Sequence, residues 1–337
     1  GSGADTINLP AGTYVFAPAL GTAGENNART GDLDILEDLT IIGAGQVDSI
    51  IDAGGHDRVF HVLLNANFAL RDLTVTGGNA QDYHGGGIMA DGESLSLLNV
   101  RVTGNTTGSA AGIYGGGIFG IGAGSTVTIR LSLIDHNTAS ATGGGIYMYD
   151  DTTLVFDRSW VQVNTADDSG GIRHNGSATI TQSLISNNVG TVGTGGISSL
   201  GPLTMVNSTI SNNSTPGSGG GLVVGVGTTA DLSNVTITHN TANSDADGTG
   251  TGGGIRIASG TVILRNTIIA GNFDNGSIPN PDCSGTFQSR DYNLIQDLSG
   301  CTLTDLTAHN LTGVDPLLDG LGNNGGPTKT HALNLGS

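Results

Sequence analysis

Acid–base chemistry in this chain would have to come from few residues. The regular middle of the sequence holds two paired carboxylates, Asp150-Asp151 and Asp167-Asp168, and the second pair lies just before Arg173 and His174. Carboxylates at a set separation hydrolyse glycosidic bonds, whereas lyases need a base, usually Arg or Lys, beside cation-holding carboxylates. Asp150, Asp167, Asp168 and His174 are therefore the candidate hydrolytic set, and the competing reading is solvated turn residues on an acidic surface. Lys329 is the only lysine, and the Asn-Thr-Asp and Arg-Ile-Lys strings of pectinase-type sites are absent.

Binding chemistry has three other candidates. Phe119, Tyr147 and Arg173 each follow a Gly-Gly-Ile run, and Tyr149 stands one alternation beyond Tyr147. If the Ile points inward, these neighbours point outward and form a row that would suit a carbohydrate or protein contact, unless a loop covers them. Asn243, Asp245 and Asp247, followed by Gly248, resemble the first half of an EF-hand calcium loop, but Gly254 occupies the position of the bidentate Glu. Ca2+ is thus a candidate ligand of an otherwise flexible acidic insertion, and no cofactor is required. Cys283 and Cys301 are the only cysteines; in an extracellular chain they are expected to form a disulfide, with two free thiols as the alternative.

The elements that must position these groups come from two alternating motifs. Gly runs ending in an aliphatic residue recur at Gly85–Ile88, Gly115–Ile118, Gly143–Ile146, Gly170–Ile172, Gly195–Ile197, Gly219–Leu222 and Gly252–Ile255. Steps between their last glycines are 30, 28, 26, 25, 25 and 33 residues. Between them, short β-type runs end in Asn105, Asn137, Asn164, Asn188, Asn213, Asn240 and Asn272. A period of ~25 residues with two or three short strands fits one coil of a β-helix, with equivalent residues stacked about 4.8 Å apart. Aliphatic residues then fill the interior, and the Asn column forms a hydrogen-bonded ladder at a turn where Asn tolerates left-handed φ. His136 and His239 precede ladder asparagines and read as structural, as do the sequons at Asn207 and Asn234.

Composition agrees. Among 337 residues there are 58 glycines, 12% charged and 4% aromatic residues. The expected fold is all-β: a single right-handed parallel β-helix of about eight or more coils, with less regular coils over residues 1–80, regular coils over 81–275 and a C-terminal capping segment over 276–337. A β-propeller would need blades of ~40 residues and more aromatics. The net charge of -18 argues against nucleic acid and anionic membranes as partners. No stretch is apolar enough to insert into a membrane. No signal peptide is visible, but the chain starts at Gly1 in what reads as mid-domain, so that absence does not argue for the cytoplasm.

The Gly-Gly-(Ile/Leu) and Ile-x-x-Asn alternation resembles the repeats of polymorphic outer membrane proteins and related bacterial surface β-helices. Gly3-Ala4-Asp5-Thr6-Ile7-Asn8-Leu9-Pro10-Ala11-Gly12-Thr13-Tyr14 resembles the opening of CSLREA-type secreted bacterial proteins, although the CSLREA hexapeptide itself is not present. The segment from Asp282-Cys283 through Tyr292-Asn293-Leu294-Ile295 to Gly300-Cys301 is similar to their C-terminal region. Asp315-Pro316-Leu317-Leu318 and the run from Asp319 to Leu333 resemble the choice-of-anchor Q segment. The resemblance implies export and a cell-surface or extracellular place, and no defined activity. The sequence thus favours a non-catalytic structural or adhesive β-helix (an adhesin, stalk or fibre subunit) with self-association and a carbohydrate or cell-surface ligand as expected partners. The alternative is a polysaccharide lyase or glycoside hydrolase.

Overall fold

The computed structural model describes residues 5–16, 31–63, 65–81, 83–109, 111–305 and 309–337. Gly3 and Ala4 of the opening motif, and residues 17–30 of the N-terminal coils, lie outside them. The described chain is a right-handed parallel β-helix.

One coil shows how the repeat works. Ile172–His174, Ser177–Thr181 and Leu184–Ser186 are three successive strands, each paired in parallel with the same strand of the coils before and after. Within Ile172–His174 the outer residues point into the core and Arg173 points out, and Ser177–Thr181 alternates likewise. This period of two turns one face of each strand inward, so Ile172, Ile180 and Ile185 meet in a closed apolar interior. The chain bends between the second and third strands at Gln182 (φ 50°) and after the third at Asn187 (φ 55°). The same bend recurs six residues before each ladder asparagine, at Asn99, Leu131, Arg158, Gln182, Asn207, Asn234 and Asn266. The left-handed φ therefore belongs to these corner residues and to those just before the ladder, including His136 and His239, and not to the ladder asparagines themselves.

The Gly runs serve two needs at once. Gly115 has φ +70°, a left-handed turn, whereas Gly116 and Gly117 are small because the next coil is close. A Cβ on Gly116 would lie 2.5 Å from Gly144 O. Gly116 and Gly117 donate their N–H groups to Gly143 O and Gly144 O, each at 3.1 Å. Ser169 (φ 56°) takes the first position where the run shortens to two glycines.

The coils continue beyond residue 275, the boundary expected from sequence. Cys283–Ser289 pairs with Ile255–Ile257 and Thr261–Arg265, Leu294–Ile295 pairs with Ile268–Ala270, and Cys301–Thr304 pairs with Cys283–Ser289. Cys283, Phe287, Ile295 and Leu303 supply their buried apolar residues. The expected capping segment is thus corrected: its first part is solenoid. Its last part, the antiparallel hairpin of Leu318–Gly322 and Thr330–Leu333, turns back along the flank formed by the third strands. Thr328 Oγ1 donates to Gln182 O at 3.2 Å, Ser211 Oγ and His331 Nε2 lie 2.8 Å apart, and His331 stacks on His239. No helix of the described residues is long and apolar enough to cross a membrane.

Candidate functional site

The outward residues of the Gly-turn strands form one straight column. The register sets Asp34 beside His61, His61 beside Met89, Met89 beside Phe119, Phe119 beside Tyr147, and Tyr147 beside Arg173. The sequence reading put Phe119, Tyr147 and Arg173 in one row and left open whether a loop covers it. The row is covered: Phe119 is 1% and Tyr147 4% exposed. The covering rings come from the segments before the Gly turns. His84 stacks on Phe119 with centroids 4.6 Å apart, and Tyr114 stacks on Tyr147 at 4.8 Å. His84 and Tyr114 are themselves parallel to within 2° at 4.9 Å. Offset stacking of this kind adds about 1 kcal/mol per pair beyond area burial.

The surface of this block is therefore His84 and Tyr114, each partly exposed, with Tyr149 (40% exposed) beside Phe119 and Tyr147. At one end, Arg173 Nη1 donates to Asp168 Oδ2 at 2.6 Å. Asp168 Oδ1 also accepts Thr194 N at 2.7 Å, which fixes the pair. Tyr147 OH accepts from Asn175 Nδ2 at 3.4 Å, and burial pushes its phenol pKa up. Burial, helped by the Arg58 guanidinium, lowers the His84 pKa and keeps that ring neutral and apolar-faced. The partly exposed groups here are the rings of His84, Tyr114 and Tyr149 and the Asp168–Arg173 carboxylate–guanidinium pair. Neither a protein-family model nor a curated protein matches the chain. Two solved structures align with it. One is the A-module of the Azotobacter vinelandii mannuronan C-5 epimerase AlgE6, at 15% identity over 92% of this chain and 90% of that one, TM-score 0.42. The other is the A-module of the same organism's epimerase AlgE4, at 17% identity over 91% of each chain, TM-score 0.44. At these scores neither alignment bears on the chemistry of the face.

The hydrolytic set proposed from sequence is not assembled. His174 points into the core, fully buried, with Nδ1 donating to Gly176 O at 2.8 Å; burial lowers its pKa to about 4. Asp168 is tied to Arg173, Asp167 accepts from Thr191 Oγ1, and Asp150 is an exposed turn residue. Strand alternation explains this: Arg173 faces out, so His174, one residue on, must face in.

The calcium-type loop is braced by hydrogen bonds from its own side chains. Asn243 is buried and its Oδ1 accepts Gly248 N, Asp245 Oδ1 accepts Asp247 N, and Asp247 Oδ1 accepts both the N–H and the hydroxyl of Thr249. The Thr249 bonds lower the Asp247 pKa.

The Asn ladder is present throughout. Each of Asn105, Asn137, Asn164, Asn188, Asn213 and Asn240 donates Nδ2 to the Oδ1 of the next at 2.9–3.0 Å. Asn272 ends the run on Asp282 Oδ1 at 2.9 Å. The Cys283–Cys301 disulfide is formed, Cα atoms 5.6 Å apart.

Sequence reasoning missed three features. A second ladder runs through Ser132, Ser159, Ser183 and Ser208, each hydroxyl accepting the backbone N–H one coil earlier. Its signal was a serine five residues before the ladder asparagine. The covering pair His84 and Tyr114 was marked by one ring immediately before each of two Gly runs. The third feature is a buried charged group in the first coils, Asp32, Asp34, Asp57, Arg58 and His61, within the region where repeats were hardest to see.

Proposed function

We propose that this chain is a non-catalytic extracellular β-helix whose Gly-turn face binds a neutral polysaccharide, an adhesive or structural role such as an adhesin, stalk or fibre subunit. The observation that carries this reading is the four-ring block of His84, Tyr114, Phe119 and Tyr147, edged by Tyr149 and the Asp168–Arg173 pair. Buried rings hold the outer rings rigid, so little ordering entropy is lost when a sugar ring docks. The net charge of -18 disfavours polyanionic glycans, and the guanidinium at the edge of the ring block, Arg173, is already neutralised by Asp168. The disulfide supports an oxidising, extracellular setting.

Titration calorimetry with cellohexaose, xylohexaose and chitohexaose tests it, with polygalacturonate as the charged comparison. We expect at least one neutral oligosaccharide to bind, and Tyr114→Ala with Tyr149→Ala to weaken it about tenfold or more, since each 1.4 kcal/mol of lost stacking is tenfold. Binding of none, or binding indifferent to both substitutions, would refute the reading. A reducing-end assay on the same sugars separates the enzyme alternative: chain cleavage abolished by Asp168→Ala would displace the non-catalytic reading.

A further inference from the structure

The first Gly-turn strands carry a polar group unlike anything in the later coils. Asp32 and Asp34 flank and enter Leu33–Ile35, and His61 lies on Phe60–Val62, in register with Asp34. All three are buried, and one donor atom from each lies within 4.8 Å of the others. Arg58 Nε holds Asp32 Oδ2 and leaves Asp32 Oδ1 buried without a hydrogen bond. Asp57, also buried, has its Oδ2 in the same condition.

His61 supplies the independent sign. Its side chain is 6% exposed, and neither ring nitrogen makes a hydrogen bond. Nδ1 points at Asp34 Oδ1 from 3.5 Å, too far for a good hydrogen bond and suited to two groups facing a shared ion. A buried imidazole with both nitrogens idle is destabilising unless something binds it. We propose that Asp32, Asp34 and His61 hold a divalent transition-metal ion, zinc by preference, which fastens the first two Gly-turn strands to each other. The mixed donor set decides the class: two carboxylates and an imidazole suit zinc or manganese, whereas calcium and magnesium take oxygen alone.

The test uses the full chain after dialysis against EDTA. Calorimetry with zinc chloride should show one equivalent bound, at least a hundredfold more tightly than calcium or magnesium chloride. Zinc should also raise the melting temperature. His61→Gln and Asp34→Asn should each weaken zinc binding at least a hundredfold, while the pair Asp245→Asn and Asp247→Asn should leave it unchanged. X-ray absorption of the zinc-loaded wild type keeps the test independent of how the variants fold. One imidazole with carboxylate oxygens is expected. No zinc binding, binding unaffected in folded His61→Gln, or a shell with sulfur or several imidazoles would overturn the proposal.

Discussion

At the scale of single residues, the strongest constraints are polar groups sealed in the wall of the coil. Asn188 accepts from Asn164 N and Nδ2, and donates to Val161 O and Asn213 Oδ1. Asn188→Ala strands several buried groups at once, and chemical denaturation should show a loss of about 3 kcal/mol or more. Asn207, a corner with φ 50° and an exposed side chain, should tolerate Gly within about 0.5 kcal/mol. His174 gives a pH signature. Its folded pKa, about 4, lies below the ordinary 6.5, so the folded state binds fewer protons between those values. Its contribution is complete above 6.5 and is lost as pH falls toward 4, an effect of about 3 kcal/mol. In the next coil Ser199 occupies the same register position and its hydroxyl donates to Gly201 O, so His174→Ser has a native precedent. Unfolding free energies measured from pH 7 to pH 4 should fall about 3 kcal/mol less in His174→Ser than in the wild type; parallel profiles would show that His174 is not held neutral.

At the scale of elements, the repeat was legible wherever one residue type served one geometric need. The Gly column and the Asn ladder could be read because a backbone contact and an amide ladder admit few substitutes. The corner residues were harder to read, since Asn, Leu, Arg and Gln all occupy the same left-handed position. Outward strand residues were placed correctly by alternation, but their covering by His84 and Tyr114 depends on loops whose path no periodicity encodes. The last coils were hidden for a similar reason: prolines and the two cysteines interrupt the pattern while Phe287, Ile295 and Leu303 still fill the core. The disulfide joins adjacent strands there, across 18 residues. Replacing both cysteines by Ser should cost about 3 kcal/mol in equilibrium denaturation, the loop-closure value for a ring of this size.

At the scale of the whole molecule, the solenoid is a device for repetition. Each coil contacts its neighbours, so one outward column becomes a straight strip with a spacing of about 4.8 Å. On most of the strip the residues are unremarkable: Ser198, Val223 and Arg256 follow Arg173. Only between His84 and Arg173 do rings accumulate, in a chain that is 4% aromatic. A polymer lying along this strip would meet a stacking platform followed by a fixed carboxylate–guanidinium pair. The most direct measurement is a crystal structure of the chain with the neutral oligosaccharide that binds best. Sugar rings should pack against His84 and Tyr114, bounded by Tyr149 and within hydrogen-bond reach of Asp168 or Arg173; a sugar seated on another column, with these rings untouched, would rule this face out as the binding site.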